Sequence, residues 1–392
     1  MEAPIPQANN KVPAIVYAGY QGWFAALVPA VMIGAAAERG RVLPACIFIF
    51  CWVTLVYCPI ARWVWAPEGW AFKLGVLDYA GGGPIEICSG FTGEYQEPLP
   101  GYVGMQLTPA SCVAGLVYSY YLGKRRGYGT TALSFRPHSV THLYIGTVFL
   151  WFGWLGFNGG STFAANLKAG LAILNTNLAA SCAGLTWMAL DWRLERKYSA
   201  VGFCTGAIVG LVAITPAAGY VGMPGALGIG VIASAVSNAS TTLKGFLVVD
   251  DALDLLSVHG FAGIIGLICT ALFAQSWVTG LDGYSSGGGW PDHHWIQLGY
   301  QLAWICAAAG WTVVMSLILM FIIDHIPGCH FRAEEDDEIV GMDQAEAGEF
   351  AYGQLQMSLV PSREAHSHCD TPADSPYFFR LRLRPHPSRR RR

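Results

Sequence analysis

Long apolar stretches alternate with short polar loops along the first 330 residues. A helix that crosses the ~30 Å hydrocarbon core of a bilayer needs about 20 apolar residues. Eight stretches meet this length, roughly at 13–37, 44–62, 141–158, 170–190, 200–217, 224–243, 256–275 and 299–324. A ninth region, at 83–122, is apolar at both ends and broken in the middle by acidic residues and prolines. The pattern predicts an all-α polytopic membrane protein with about nine spans.

The lysines and arginines test this count, because loops on the cytoplasmic side carry an excess of basic residues. If the spans alternate, four basic residues precede the tail on one side, at Lys11, Arg62, Lys73 and Lys168. The other side collects eleven, at Arg39, Arg41, Lys124, Arg125, Arg126, Arg136, Arg193, Arg196, Lys197, Lys244 and Arg332. The asymmetry predicts an extracellular N-terminus over 1–12, a membrane domain over 13–330 and a cytoplasmic tail over 331–392.

Composition excludes several other classes of protein. Hydrophobic residues make up 53% of the 392 residues and charged residues 12%, about half the charged fraction of a soluble domain. The net charge of −3 argues against a nucleic-acid partner. The eleven cysteines are scattered without a C-x-x-C pair, so neither a metal nor a cofactor is predicted. No phosphate-binding loop supports ATP-driven pumping.

Ionisable residues inside membrane spans are costly and are candidates for function. Glu86 lies in GGGPIEICSG and His259 in LLSVHGFAGIIG, while Asp78 and Asp254 precede them at the entrances of these spans. Each also has a simpler interpretation. His259 could be a hydrogen-bonded histidine near the membrane interface, and Glu86 could be an acidic residue in a Gly/Pro turn. The residues alone leave both interpretations open.

Five stretches of the sequence stand out: GYQGWFAALVPAVMIGAAAERGR (19–41), LDYAGGGPIEICSGF (77–91), FLWFGWLGFNGGS (149–161), GAIVGLVAITPAAGYVG (206–222) and DDALDLLSVHGFAGIIG (250–266). In this order they resemble the Amt/Mep/Rh ammonium transporter family, and their sequences are similar to those of its fungal members. Family members have eleven spans with an inverted repeat, and this chain begins at what looks like the third span. About 20 residues near 92–113 interrupt the helix expected there and suggest a retained intron or a gene-model error. The end after 352 is unfamiliar and is expected to be disordered.

The resemblance implies specific roles. His259 matches the second of two pore histidines, and Glu86 stands where the first usually does, a substitution found in some fungal members; together they would relay protons. Supporting residues are Asp78, Trp154 and Asp254. The residues that recruit ammonium would be Phe24, Trp65 and Ser161. Two stacked phenylalanines, Phe24 and Phe157, would gate the pore.

The resemblance also implies a homotrimer in the plasma membrane that transports ammonium, with methylammonium as a second candidate substrate. A different class of function is an ammonium sensor that signals through the tail. A non-functional fragment is a third reading, since two spans of the family pattern are missing. An intramembrane enzyme has no support, because neither a Ser/His/Asp set nor an H-E-x-x-H motif is present.

Overall fold

The computed structural model describes residues 12–32, 34, 38–88, 113–126, 139–241, 256–283 and 287–349. The interruption near 92–113 lies almost wholly outside these residues. So do Asp254, most of the N-terminal segment and the tail beyond 349. Residues Met1–Ala347 form one compact unit and Gly348–Arg392 a second. The first unit thus includes the residues 331–347 that the sequence pattern assigned to the tail.

The described residues are nearly all helical, and their only β contact is an isolated bridge between Gly40 and Arg332. Helices lie within each of the predicted spans wherever the structure describes it. They are α1 (Ala14–Met32), α2 (Val42–Trp52), α3 (Cys58–Trp65), α4 (Trp70–Leu74), α5 (Val113–Leu122), α6 (Val140–Gly160), α7 (Leu167–Glu195), α8 (Ala200–Ile214), α9 (Met223–Ser240), α10 (Ala262–Phe273), α11 (Ser276–Thr279), α12 (Gln297–Asp324) and α13 (Glu335–Val340).

In the described part of the chain, four π-helical segments supplement these helices. Val53–Tyr57 joins α2 to α3, Gly82–Ile87 starts the broken span, Leu256–Phe261 leads into α10, and Asp343–Ala347 follows α13. By length and composition, five helical segments of the described chain can cross a membrane: Val42–Leu74, Val140–Gly160, Met223–Ser240, Leu256–Phe273 and Gln297–Asp324.

Small residues let α7, α8 and α9 pack backbone against backbone. Gly210 of α8 and Gly230 of α9 both approach the carbonyl oxygen of Ala179 on α7. Ser234 adds a hydrogen bond of 2.8 Å from its hydroxyl to the Ala183 carbonyl. Close approach through small residues and interhelical hydrogen bonds stabilises helix pairs where lipid supplies no hydrophobic driving force.

Three of the loops that the charge asymmetry places on one side of the membrane do meet at one end of the helices. Arg332 donates to the carbonyl oxygens of Leu122 at 2.7 Å and Lys124 at 2.8 Å. Arg125 pairs with Glu38 at 2.8 Å. The shared end agrees with the alternation of spans that the sequence predicts.

The packing of α9 on α7 predicts a sharp difference between two glycines of α9. A methyl group at Gly230 would overlap the Ala179 carbonyl oxygen, whereas one at Gly228 would meet its nearest neighbour, Phe273, at 3.9 Å. We expect Gly230→Ala to destabilise the protein by about 1–3 kcal/mol. Gly228→Ala is the matched control. Melting curves of the detergent-purified variants measure the effect, and equal melting temperatures would contradict it.

Candidate functional site: a buried acid–histidine pair below an aromatic mouth

Glu86 and His259, 173 residues apart, form a direct contact in the interior. Oε2 of Glu86 lies 2.9 Å from Nδ1 of His259, and both side chains are at most 3% exposed. Each residue belongs to one of the π-helical segments, Gly82–Ile87 or Leu256–Phe261. Such segments are rare and occur often at functional sites. The spacing of the acidic residues and of His259 along the sequence did not indicate that Glu86 and His259 lie in segments of the same kind.

The contact depends on a close approach between the two spans. A methyl group at Gly263, one turn after His259, would lie 2.9 Å from Cβ of Glu86. The neighbours of the pair along its own segments, Ile85, Ile87 and Val258, are buried apolar residues. Oε1 of Glu86 is buried and has no hydrogen-bond partner among the described residues. A titratable pair in such surroundings has no bulk water to stabilise a net charge.

Asp78 determines how the Glu86 segment begins. Its carboxylate accepts hydrogen bonds from the backbone N–H groups of Gly81 at 3.0 Å, Gly82 at 2.5 Å and Gly83 at 2.7 Å. The indole N–H of Trp304 donates to the same carboxylate at 3.0 Å. A methyl group at Gly83 would overlap that indole. Asp78 therefore caps the π-helical segment on backbone donors, as a side chain at a helix N-terminus does.

Three aromatic rings, those of Phe24, Trp65 and Phe157, lie in succession, and we call them the aromatic mouth after the role that we propose for them below. The centroids of Phe24 and Trp65 are 6.4 Å apart, and those of Phe24 and Phe157 are 4.5 Å apart. The expectation of two stacked phenylalanines was wrong in its geometry, because the planes of Phe24 and Phe157 meet edge to face at 64°. The ring quadrupoles favour such a contact over a face-to-face sandwich. The indole N–H of Trp65 donates to the Asp78 carbonyl at 3.2 Å, which ties the mouth to the cap.

Ser161 lies beside the mouth together with a residue that sequence reasoning missed. The Tyr20 hydroxyl donates to the Phe157 carbonyl at 2.7 Å and lies 3.2 Å from the Ser161 hydroxyl oxygen. Ser161 also donates to the Phe157 carbonyl, at 2.9 Å. The Tyr20 ring contacts Phe24 edge to face at 4.7 Å. Its position one turn before Phe24 was the only signal in the sequence.

Trp154 links the Phe157 ring to the residues just before the Glu86 segment. Its ring stacks on Phe157 at 4.9 Å and 21°, and its indole N–H donates to the Thr215 hydroxyl at 2.8 Å. The Thr215 carbonyl in turn accepts from the Ala80 backbone N–H at 3.2 Å, just before the Glu86 segment. Thr215, like Trp304, was missed by sequence reasoning. No group of histidine, cysteine or acidic side chains in the described part of the chain could hold a metal ion.

Ionisable residues buried among the spans of a polytopic helical protein are typical of membrane transporters and channels, where they mark ion and proton pathways. Comparison with known proteins then identifies the family. The profile of the Ammonium Transporter Family matches residues 5–94 and 105–352. This chain belongs to the ammonium transporter family, a family of transport proteins and not of enzymes.

Two fungal proteins illustrate the similarity. Ammonium transporter 2 of Schizosaccharomyces pombe is 45% identical over 354 residues, which cover 89% of this chain and 64% of that protein. The crystal structure of Saccharomyces cerevisiae Mep2 matches with a TM-score of 0.74 and 45% identity, over 84% of this chain and 69% of that one. The chain thus spans somewhat less than two thirds of the length of the first relative.

The cap on the Glu86 segment predicts that replacing Asp78 by asparagine, which has nearly the same shape, strongly lowers the stability of the protein. Asp78→Asn replaces one acceptor oxygen by an NH₂ group that faces N–H donors. We therefore expect the free energy of unfolding to fall by about 2–3 kcal/mol. Asp292→Asn is the matched control, because Asp292 bonds the Ser276 backbone N–H at 2.7 Å in an exposed loop. The melting temperatures of the purified variants provide the comparison. An Asp78→Asn protein that melts with the wild type would contradict the assigned role of the cap.

Proposed function

We propose that this protein transports ammonium, and that Glu86 and His259 relay the proton that ammonium releases. Membership of the ammonium transporter family supports the substrate. The observation that carries the mechanism is the 2.9 Å contact between a carboxylate and an imidazole in a buried apolar environment. Methylammonium, which keeps the positive charge and three of the four N–H donors of ammonium, is a second substrate under this proposal.

The aromatic mouth and Ser161 would recruit the cation. The indole of Trp65 and the ring of Phe24 offer π faces, and a cation–π contact contributes about 0.5–2 kcal/mol. The Ser161 hydroxyl oxygen can accept a hydrogen bond from an N–H of ammonium. These contributions hold an ion at the mouth. They are far smaller than the idealised cost of tens of kcal/mol for moving a bare ion into an apolar interior.

Deprotonation at the mouth avoids this cost. Ammonium would lose one proton and continue as neutral ammonia past the edge-to-face rings of Phe24 and Phe157, whose displacement would open the way. The separated proton must cross as well if net charge is to be transported. Titratable groups inside the protein are the acceptors available to it.

The Glu86–His259 pair would accept and pass on this proton. The carboxylate and the imidazole share one hydrogen bond, so a proton that arrives at one group can shift to the other across 2.9 Å. Two groups at this distance titrate as a unit. Transport would then be electrogenic, with ammonia and a proton moving separately and recombining to ammonium on the far side.

Location and assembly follow as part of the same proposal. The protein would lie in the plasma membrane with its N-terminus outside and its C-terminal tail in the cytoplasm, and it would form a homotrimer. The second candidate function is an ammonium sensor that signals through the tail. Transport is the better supported of the two, because the buried contact between Glu86 and His259 provides a path for a proton.

The relay predicts that Glu86→Gln lowers the ammonium-induced current by about 10²-fold, the scale of a lost acid–base group. Glutamine keeps the shape and can still bond His259, but it does not titrate. Glu68→Gln, in an exposed turn, is the matched control. Solid-supported-membrane recordings on proteoliposomes, taken over a range of pH, measure the current. A Glu86→Gln current equal to that of the wild type throughout would remove Glu86 from the mechanism.

Uptake separates the transporter from the sensor. Expressed in a fungal strain that lacks its own ammonium transporters, the protein should support uptake of labelled methylammonium and growth on low ammonium. Glu86→Gln, checked for equal amounts in the plasma membrane, serves as the comparison. Growth signalling without measurable uptake would favour the sensor and contradict the proposal.

A further inference from the structure

A buried lysine that the proposed transport does not use joins separate parts of the chain. Lys168 is the second residue of α7 and is 2% exposed. Its ammonium group donates to the Asp282 carboxylate at 2.7 Å and to the Thr279 carbonyl oxygen at 3.0 Å. Both acceptors lie in the segment 276–282, which follows α10. Burying two charges costs free energy that their attraction often only offsets, so such a pair is a candidate for a role beyond stability.

The same ammonium group lies against two tyrosine rings. Its nitrogen is 5.0 Å from the centroid of the Tyr220 ring and 5.9 Å from that of the Tyr79 ring, within the range of a cation–π contact. The two rings meet each other edge to face at 5.5 Å. A carboxylate, a carbonyl oxygen and two rings thus surround the Lys168 cation. We call Asp282, Thr279, Tyr79 and Tyr220 the lysine cage.

The position of the Tyr79 ring depends on this cage. Its hydroxyl is buried and has no hydrogen-bond partner among the described residues, so no hydrogen bond from the hydroxyl holds the ring there. A methyl group at Gly219 would overlap the ring, which therefore lies directly on that backbone. The ring also contacts Tyr220 and the Lys168 ammonium group. Packing and the cation together determine where the ring lies.

The peptide unit between Asp78 and Tyr79 connects the lysine cage to the aromatic mouth. Its carbonyl oxygen accepts the Trp65 indole N–H at 3.2 Å, and its N–H donates to the Pro216 carbonyl oxygen at 3.0 Å. Because a peptide unit is planar, a rotation that follows a displaced Tyr79 ring would disturb both hydrogen bonds at once. The orientation of Trp65, one of the three rings of the mouth, is therefore coupled to the position of Tyr79.

We propose that Lys168 is a positioning residue for the aromatic mouth. Its ammonium group fixes the Tyr79 ring, the ring fixes the peptide unit after Asp78, and that peptide unit holds Trp65 where it meets the incoming cation. This role rests on the proposed function of the mouth. Lys168 has no part in the proton relay, so it affects the apparent affinity for the substrate and not the maximal rate.

Methylammonium uptake by proteoliposomes that contain the full chain tests this role. The double variant Lys168→Met/Asp282→Asn removes both charges of the pair, because removing one alone is strongly destabilising. We expect its KM to rise about two- to thirtyfold, which corresponds to the loss of one cation–π contact of about 0.5–2 kcal/mol at Trp65. The maximal rate per folded protein and its pH profile should not change. Lys197→Met/Glu195→Gln, which removes one exposed charge of each sign, is the matched control. A folded double variant with the KM of the wild type would overturn the proposal.

A second measurement does not depend on transport. Lys168→Ala removes the cation from the cage and should lower the melting temperature. Propylammonium has the three carbons and the charged nitrogen that this variant lacks, so it should enter the cage and raise the melting temperature again. Propanol, which lacks the charge, should not, and propylammonium should not shift the wild type. Absence of rescue would contradict the cage. Wild-type protein that takes up no methylammonium would instead contradict the proposed function and the role at the mouth, whereas rescue tests the cage by itself.

Discussion

The Asp78 carboxylate and its four donors are the interaction on which the site depends. Lipid offers no hydrogen bonds, so backbone N–H groups at the start of a helix inside the membrane need a partner within the protein. Asp78 supplies that partner for three consecutive glycines and is itself held by Trp304. This cap lets a segment with a glycine-rich start and Pro84 begin as a π-helix in the interior. The segment then presents Glu86 towards His259.

From this cap the site extends in two directions. Outward, the Asp78 carbonyl accepts the indole N–H of Trp65, so the same residue that starts the Glu86 segment also holds one ring of the aromatic mouth. Inward, Gly263 allows the His259 span to approach Glu86 closely enough for a hydrogen bond. Recruitment at the mouth and proton transfer in the interior would therefore share one rigid support. A change in the cap would disturb both.

Much of the site could be anticipated because its residues stand in recognisable stretches of sequence. Glu86 and His259 stood out as ionisable groups in apolar runs, and Phe24, Phe157 and Trp65 followed from the family resemblance. Trp304 did not stand out, since one tryptophan in an apolar helix looks like any other. Its role depends on Asp78, 226 residues away. Tyr20 and Thr215 were missed for the same reason: each acts through a partner on another span.

Hydropathy along the chain was sufficient to determine the helical membrane class and where the described helices lie, and the charges indicated three basic loops that share one end. These are properties of local segments, because each span must satisfy its own backbone and match the bilayer by itself. Only the tertiary structure decided that Glu86 touches His259, that Phe24 and Phe157 meet edge to face, and that Asp78 is a cap. Hydrogen bonds and ring contacts need atoms from different spans within a few ångströms, and that proximity depends on how the helices pack.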